Sequence, residues 1–224
     1  MHLTASIIAT ITVHMGDVNG VAFSGDKLAT GSGDKKVRLF SMDTWKERAI
    51  SPLQGHTYYV NCVAFSPFGA QLASCSTDGK CILWDPRSGT KIAILEHPSK
   101  NGLRVCTFSP NGATLATAGD DETIALWDTS TRTITRSLVG HEAWVTTCDF
   151  TPDSTYLISG STGGELRLWD ARYGHGKCLV LVKVAHDLGV TSSQFSSRHG
   201  VQGSTVQGSV AGEFLWQPAA RITM

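Results

Sequence analysis

Apolar and polar residues alternate along short stretches of this chain, and the stretches occur in pairs around tight turns. In Leu72–Ser76 and Cys81–Trp84 the alternation has a period of two residues, and an Asp78-Gly79 turn separates the two runs. Alternation on both sides of an Asp-Gly pair is a strong local signal for a β-hairpin. Because a single hairpin is barely stable in water, this one is expected to pack against similar elements.

The hairpin pattern returns along the chain at a nearly constant interval. Each copy ends in an aromatic residue, and the intervals of 44, 43, 42 and 47 residues separate Phe40, Trp84, Trp127, Trp169 and Trp216. A histidine and then a short strand that ends in Phe precede each hairpin. A further strand is predicted between units, at Trp45–Leu53, Lys91–Leu95, Thr133–Val139 and Lys177–Val184, and before the first unit at Ser6–Val13. Each unit is therefore predicted to be four short antiparallel strands.

The Gly55-His56 and Trp84-Asp85 pairs, which recur at this interval, resemble the signatures of the WD-repeat family. The resemblance implies an all-β fold, a WD-repeat β-propeller of four-stranded antiparallel blades, over 6–196. About five repeats fit. The fifth departs from the pattern in 197–224, which is predicted to be a degenerate fifth blade or a foreign C-terminal tail. Because propellers of this family usually have seven blades, a partial or truncated propeller is expected.

Several segments look like the N-terminal propeller of one branch of this family, the WD repeat, SAM and U-box domain-containing proteins. They are MGDVNGVAFS, SPLQGHTYYVNCVAFSPFGAQLASCSTDG, LRVCTFSPNGATLATAG and AHDLGVTSSQFS. Members of that branch are ubiquitin ligases, in which the U-box recruits the ubiquitin-conjugating enzyme. The resemblance implies a scaffold that holds a substrate or another partner. No segment after the repeats is long enough for a SAM or U-box domain, so ligase activity itself is not expected of this chain.

A histidine, a hydroxyl residue, an aspartate and a tryptophan recur at matching positions of the units. In WD-repeat proteins these positions form a hydrogen-bonded chain, so the resemblance implies structural tetrads. The members are His14, Thr30 and Asp34; His56, Ser74, Asp78 and Trp84; His97, Thr117, Asp121 and Trp127; and His141, Ser159 and Trp169. Phe40 replaces the tryptophan in the first set, and Gly163 replaces the aspartate in the fourth. Because a catalytic triad would occur once rather than in every unit, no catalytic residue is expected.

Two groups of residues are candidates for partner binding. Tyr58, Tyr59 and Trp144 are large aromatic residues in short polar loops, which suits a binding hot spot, although packing on a neighbouring blade explains them equally well. Arg87 and Arg172 end Trp-Asp-x-Arg sequences that resemble the docking box for a cullin-RING ligase adaptor. Basic residues also follow Trp-Asp in ordinary blades, and that interpretation is the favoured one.

Composition narrows the classes of partner. The chain has 19 Lys and Arg residues against 19 Asp and Glu residues, so neither nucleic acid nor a membrane surface is an expected partner. Six cysteines lie inside strand-like runs without a Cys-x-x-Cys pair, which predicts buried thiols in a reducing compartment and no metal or cofactor. Other proteins are the expected partners. The expected location is the cytoplasm, with the nucleus as the alternative.

The function predicted from these patterns is that of a non-catalytic protein–protein interaction scaffold. It would be the partner-binding propeller of a U-box type ubiquitin ligase protein. The alternative within the binding class is a substrate receptor of a cullin-RING ubiquitin ligase. A hydrolase or oxidoreductase propeller would need reactive groups outside the repeat framework, and none is evident. A further alternative is an open fragment that does not fold stably.

Overall fold

Four antiparallel sheets of four strands each make up the chain in the computed structural model, which describes residues 7–172 and 176–195. In each sheet, called a blade here, the strands pair in chain order. The strands are β1 (Val18–Ser24), β2 (Lys27–Ser32), β3 (Lys36–Ser41) and β4 (Leu53–Gln54) in blade 1; β5 (Val60–Phe65), β6 (Leu72–Ser76), β7 (Lys80–Trp84) and β8 (Lys91–Glu96) in blade 2; β9 (Leu103–Phe108), β10 (Thr114–Gly119), β11 (Thr123–Asp128) and β12 (Ile134–Val139) in blade 3; and β13 (Val145–Phe150), β14 (Tyr156–Ser161), β15 (Leu166–Asp170) and β16 (Cys178–Val182) in blade 4.

The predicted all-β fold is confirmed. Within 7–172 and 176–195 the only helical element is a single 3₁₀ turn at Pro67–Gly69. The described part of the chain also holds no helix of the length and apolar character that crossing a membrane requires.

The hairpin of β6 and β7 forms around the Asp78-Gly79 turn. Leu72 pairs with Trp84 in the ladder, and the amide of Gly79 donates to the carbonyl of Ser76 at 3.1 Å. Gly79 has a φ of 77°, which a residue without a side chain adopts at no steric cost. The residue types at the turn therefore match the backbone that the hairpin needs.

The hydrophobic core lies between blades rather than inside them. Three clusters of buried side chains fill the junctions of blades 1 and 2, of blades 2 and 3, and of blades 3 and 4. Every residue of β6 is buried, because a neighbouring blade covers each of its faces, whereas β8 is largely exposed. This burial explains why the second strand of each unit is the most uniformly apolar or small along the sequence.

One polar contact recurs between the innermost strands of adjacent blades. The side-chain amide of Asn19 donates to the Val60 carbonyl at 3.0 Å, and that of Asn61 donates to the Leu103 carbonyl at 2.7 Å. These bonds satisfy buried carbonyls at the start of the next blade and fix the distance between blades.

Residues 190–195 continue the same series after blade 4. The Thr146 hydroxyl donates to the carbonyl of Val190, and the amides of Ser193 and Phe195 donate to side chains of β13 at 2.9 and 2.7 Å. The strand predicted to follow His186 is not formed within 190–195. Residues 197–224, predicted to be a degenerate blade or a tail, lie outside the described part of the chain.

Two predicted outer strands are wrong. Of Trp45–Leu53, Leu53 joins the sheet within the two-residue β4, and Glu47 forms only an isolated bridge with Phe40. Arg38 instead binds Glu47 through two contacts of 2.6 and 2.8 Å, and Pro52 has no N–H for a ladder. Within Ser6–Val13, residues 7–13 form no strand, and Ile7 and Ile8 are exposed.

The face of blade 1 that points away from blade 2 is not covered by any described residue. Val21 is 54% exposed on it and Phe23 is 61% exposed, whereas Val63, the β5 counterpart of Val21, is 4% exposed in the junction with blade 1. An exposed face of this kind is what a partial propeller presents where another blade would pack.

Candidate protein-interaction surface

A hydrogen-bonded tetrad spans blade 2. His56 contacts Asp78 through Nδ1 at 3.0 Å and Ser74 through Nε2 at 2.8 Å, and Trp84 Nε1 donates to the same Ser74 hydroxyl at 2.8 Å. The loop before β5, the β6–β7 turn and the blade interior are thereby joined by one chain of polar groups. All four side chains are removed from solvent.

The protonation of this tetrad follows from its partners. Asp78 accepts hydrogen bonds from His56 Nδ1–H and from the Thr57 amide, which leaves Nε2 to accept the Ser74 hydroxyl. Burial acts to raise the pKa of Asp78, but these hydrogen bonds outweigh it and lower the pKa below its ordinary value. The Ser74 oxygen is enclosed and already accepts from Trp84, so the arrangement is built to hold loops together rather than to attack a substrate.

Blade 1 forms the same chain without its last link. His14 contacts Asp34 at 2.8 Å and Thr30 at 2.6 Å. Phe40 occupies the tryptophan position and is buried, but its ring has no N–H to donate. The first tetrad is therefore a triad.

Blade 3 departs from the predicted tetrad. His97 Nδ1 contacts Asp121 at 3.1 Å and Ser99 at 3.0 Å, but its buried Nε2 has no hydrogen-bond partner among the described residues. The Thr117 hydroxyl accepts from Trp127 Nε1 at 2.9 Å. The predicted His97–Thr117 link is therefore wrong: Nδ1 makes both of the histidine's contacts, and Thr117 bonds Trp127 instead.

Blade 4 has an acid that the sequence pattern missed. Where Gly163 replaces the turn aspartate, Glu165 reaches back and its Oε2 contacts His141 Nδ1 at 3.1 Å. His141 Nε2 contacts Ser159 at 2.6 Å, and Trp169 Nε1 donates to Ser159 at 2.8 Å. The signal was present in the sequence as the first acidic side chain after the turn, with a side chain long enough to cover two extra residues.

In each blade the loop before the first strand lies beside the hairpin turn. The carbonyl of Asp17 accepts from the Gly33 amide at 2.8 Å, and Tyr59 and Trp144 accept in the same way from Thr77 and Thr162 at 3.0 and 2.9 Å. These bonds place the predicted contact residues at one end of the blades. We call this end the loop face.

Tyr58 and Tyr59 stand side by side on the loop face. Their ring centroids are 4.6 Å apart, and the side chains are 47% and 49% exposed. The Lys35 ammonium, from the turn of blade 1, lies 5.9 Å from the Tyr58 ring. The two tyrosines thus pack partly on the neighbouring turn and still present aromatic surface to solvent.

Trp144 is arranged in the same way on blade 4. It is 47% exposed, and the Arg104 guanidinium of blade 3 lies 4.3 Å from its ring centroid. Asp120 pairs with the Nε of Arg104. A cation from the preceding blade therefore contacts each of the exposed aromatic groups and holds it in place.

Arg87 and Arg172 lie at the opposite end of their blades. In both, the backbone amide donates to the aspartate of the Trp-Asp pair, at 2.8 and 3.0 Å. The Arg172 guanidinium donates to the Asp153 carbonyl at 2.9 Å, whereas that of Arg87 is exposed and has no hydrogen bond within the described part of the chain. The two arginines are therefore not equivalent.

Repeated four-stranded blades, buried polar tetrads and a core between blades define a WD-repeat protein, and comparison with known families agrees. The family described as "WD domain, G-beta repeat" matches four times, at 5–41, 47–85, 89–128 and 132–170. The chain belongs to this family. WD repeat domains generally bind other proteins.

Among individual proteins, the chain is similar to "WD repeat, SAM and U-box domain-containing protein 1" from Danio rerio, with 46% identity over 165 residues. That alignment covers 74% of this chain and 25% of the relative. The protein of the same name from Homo sapiens is 48% identical over 99 residues, which cover 44% of this chain and 21% of the relative. "Nuclear distribution protein PAC1" from Arthroderma otae is 30% identical over 194 residues, covering 77% of this chain and 41% of that protein. The chain thus spans about a quarter or less of the relatives that carry the SAM and U-box name.

Proposed function

We propose that this chain is a non-catalytic scaffold whose loop face holds another protein for ubiquitin transfer. The observation that carries the proposal is the pair of exposed aromatic sites, at Tyr58 with Tyr59 and at Trp144. Each is braced by a cation from the preceding blade. Tyrosine, tryptophan and arginine are the residues that most often dominate binding energy at protein interfaces.

The link to ubiquitin transfer rests on similarity to proteins named for a U-box. Similarity of 46% over most of this chain supports a shared partner-binding role for the repeats. Under this proposal the repeats select the protein to be modified, and the U-box of such proteins supplies the transfer. The buried tetrads contribute stability and no chemistry. Such a role would be carried out in the cytoplasm or the nucleus.

Affinity capture with quantitative mass spectrometry tests the role of the loop face. We expect specific partners of the wild type to be lost from the Tyr58→Ala/Tyr59→Ala and Trp144→Ala variants. Phe68→Ala is the matched control, because Phe68 is a fully exposed aromatic residue at the opposite end of blade 2. The proposal would be contradicted if both loop-face variants still captured the partners and Phe68→Ala did not.

The ubiquitin link is tested separately by competition. The corresponding repeats of the zebrafish relative are expected to displace the same partners from this chain. Those partners are expected to lose ubiquitin when the full-length relative is depleted. A disjoint set of partners would leave the scaffold role intact and overturn the link to the U-box proteins.

A second candidate, adaptor docking through Trp-Asp-x-Arg, is favoured by one observation. Arg87 is exposed and its guanidinium makes no hydrogen bond among the described residues, whereas the Arg172 guanidinium donates to the Asp153 carbonyl. If docking occurs, Arg87→Ala is expected to abolish recovery of the cullin-RING adaptor and Arg172→Ala to have a smaller effect. Equal recovery with wild type and Arg87→Ala would contradict docking.

A further inference from the structure

Three thiols converge at the junction of blades 2 and 3. The Sγ atoms of Cys62, Cys75 and Cys106 all lie within 4.8 Å of one another. Cys62 and Cys75 face each other across the β5–β6 ladder, and Cys106 approaches them from β9 of the next blade. The Cys62 thiol also lies 3.5 Å from the carbonyl of Cys106. We call these residues the thiol cluster.

The other junctions place different side chains at the same positions. The repeat alignment equates Cys62 with Gly20, Val105 and Thr147, and Cys75 with Gly31, Ala118 and Gly160. After blade 4, the hydroxyls of Thr147 and Ser193 occupy the places of Cys62 and Cys106 and meet at 3.0 Å. The fold therefore brings these positions into contact at every junction. Among the described junctions, only that of blades 2 and 3 supplies three sulfurs.

The surroundings of the thiol cluster are apolar. Cys75 is 0% exposed and Cys106 2%, and they pack with Leu83, Leu95 and Leu103. Burial, together with the neighbouring Cys106 and Cys62 thiols, raises the pKa of Cys75 well above its usual range. The contact with the Cys106 thiol likewise raises the pKa of Cys62. Apolar side chains therefore enclose the thiol cluster.

We propose that the thiol cluster binds one Cu(I) ion in three-coordinate geometry. Thiolates are soft ligands that favour Cu(I), and no hard oxygen or imidazole donor belongs to the cluster. A metal–sulfur bond of about 2.3 Å in trigonal geometry separates the sulfurs by about 4.0 Å. Because the three sulfurs already lie within 4.8 Å of one another, no pair has to approach by more than about 1 Å. Zn²⁺ would instead require a fourth ligand.

Binding exchanges thiol protons for the metal ion. The protons leave to solvent, the sulfurs form bonds to copper, and neither copper nor sulfur changes oxidation state. Cys62 lies on the innermost strand and is the most exposed residue of the thiol cluster, so the ion would enter from its side.

Anaerobic titration of the purified full chain with Cu(I), in competition with the chelator bathocuproine disulfonate, tests the proposal. We expect one equivalent of copper, and X-ray absorption at the copper edge is expected to show three sulfur neighbours. The variants Cys62→Val, Cys75→Ala and Cys106→Val borrow residues found at the same positions of other blades, so they are expected to fold. Each should lose the bound copper and the copper-dependent rise in unfolding midpoint.

Cys148→Ser is the matched control, because Cys148 is also buried but is not a member of the thiol cluster. We expect it to bind copper as the wild type does. Copper that survives any of the three cluster variants would overturn the proposal. So would preferential uptake of Zn²⁺ with four sulfur neighbours, in which Cys81 would be the fourth ligand, or no retention of copper against the chelator.

Discussion

Glu165 Oε2 lies 3.1 Å from His141 Nδ1, and Arg167 Nε donates to the same oxygen at 3.2 Å. Burial acts to raise the pKa of Glu165, but the Arg167 and His141 contacts outweigh it and lower the pKa. In blade 4, Glu165, paired with Arg167, therefore takes the place of the turn aspartate that contacts the histidine in blades 1 to 3. This relationship holds the loop before β13 against the β14–β15 hairpin.

Removing this carboxylate should destabilise the protein strongly. Glu165→Ala leaves the buried Arg167 charge without its carboxylate and His141 Nδ1 without its hydrogen-bond partner. Breaking a buried ion pair on one side costs roughly 3–5 kcal/mol. The free energy of unfolding in denaturant measures the loss. Glu142→Ala, an exposed change in the neighbouring loop, is the control and should stay within about 0.5 kcal/mol of the wild type. Similar losses for the two variants would show that Glu165 does not anchor the blade.

The tetrad histidines should differ in their contribution to stability. His56→Ala leaves both Ser74 and Asp78 short of a partner, so we expect a cost of about 1–3 kcal/mol. His97→Ala should cost less than His56→Ala, because His97 Nε2 makes no hydrogen bond with any described residue that the change can remove. Thermal unfolding of the two variants measures the difference. An unchanged melting temperature for His56→Ala would remove the structural assignment of the tetrad.

Stability should fall in acid because of the tetrad aspartates. In the folded state burial acts to raise the pKa of Asp34, Asp78 and Asp121, but hydrogen bonds, among them those from the histidines, outweigh it. The pKa of each aspartate is therefore lowered. The unfolded chain, in which the Asp pKa is about 3.9, then takes up protons first. The stabilisation is complete above that pH and is lost as pH falls through the lower folded values.

The acid dependence can be assigned by substitution. Asp78→Asn should be less stable than the wild type near neutral pH and should lose less stability on going from pH 5 to pH 2. Asp43→Asn, in an exposed turn, controls for the loss of one carboxylate. Denaturant unfolding at a series of pH values provides the measurement. If Asp78→Asn and the wild type have parallel pH curves, the lowered pKa of Asp78 is not a source of the dependence.

Alanine substitutions at two turn glycines distinguish the cost of backbone strain from the cost of steric overlap. Gly25 and Gly79 have φ values of 57° and 77°, so an alanine is strained at either position. A Cβ at Gly25 would meet nothing within 4 Å, but one at Gly79 would lie 2.6 Å from the Lys100 carbonyl oxygen. We expect Gly25→Ala to cost about 1 kcal/mol and Gly79→Ala distinctly more. Equal costs would mean that the loop at Lys100 moves freely to accept the side chain.

Local patterns predicted most of the blade framework. The four hairpins and the Phe-terminated strands of blades 1 to 4 were predictable because alternation and turn residues are local signals. The outer strand of blade 1 was not, since Arg38 and Glu47 draw that segment into a side-chain contact that no periodicity reveals. Outer strands are exposed and carry weak patterns, so their bounds depend on a few such contacts.

The candidate site, like the fold, was only partly predictable from the sequence. That Tyr58, Tyr59 and Trp144 lie in loops could be inferred from their polar neighbours. Their bracing by Lys35 and Arg104 could not, because each cation comes from a different blade. The sequence likewise contains six scattered cysteines without metal-ligand spacing. Packing of blade 2 against blade 3 brings three of them together.

The sequence by itself determined the repeat, the hairpins, the tetrad residue types and the family, since each depends on short-range order that recurs. Only the tertiary structure decided that Glu165 completes blade 4, that His97 lacks a partner at Nε2 among the described residues, and which side chains meet at each junction. The physical reason is that side-chain reach and inter-blade packing act between residues far apart in the chain. Matching positions in the repeat therefore share a backbone geometry without sharing the same contacts.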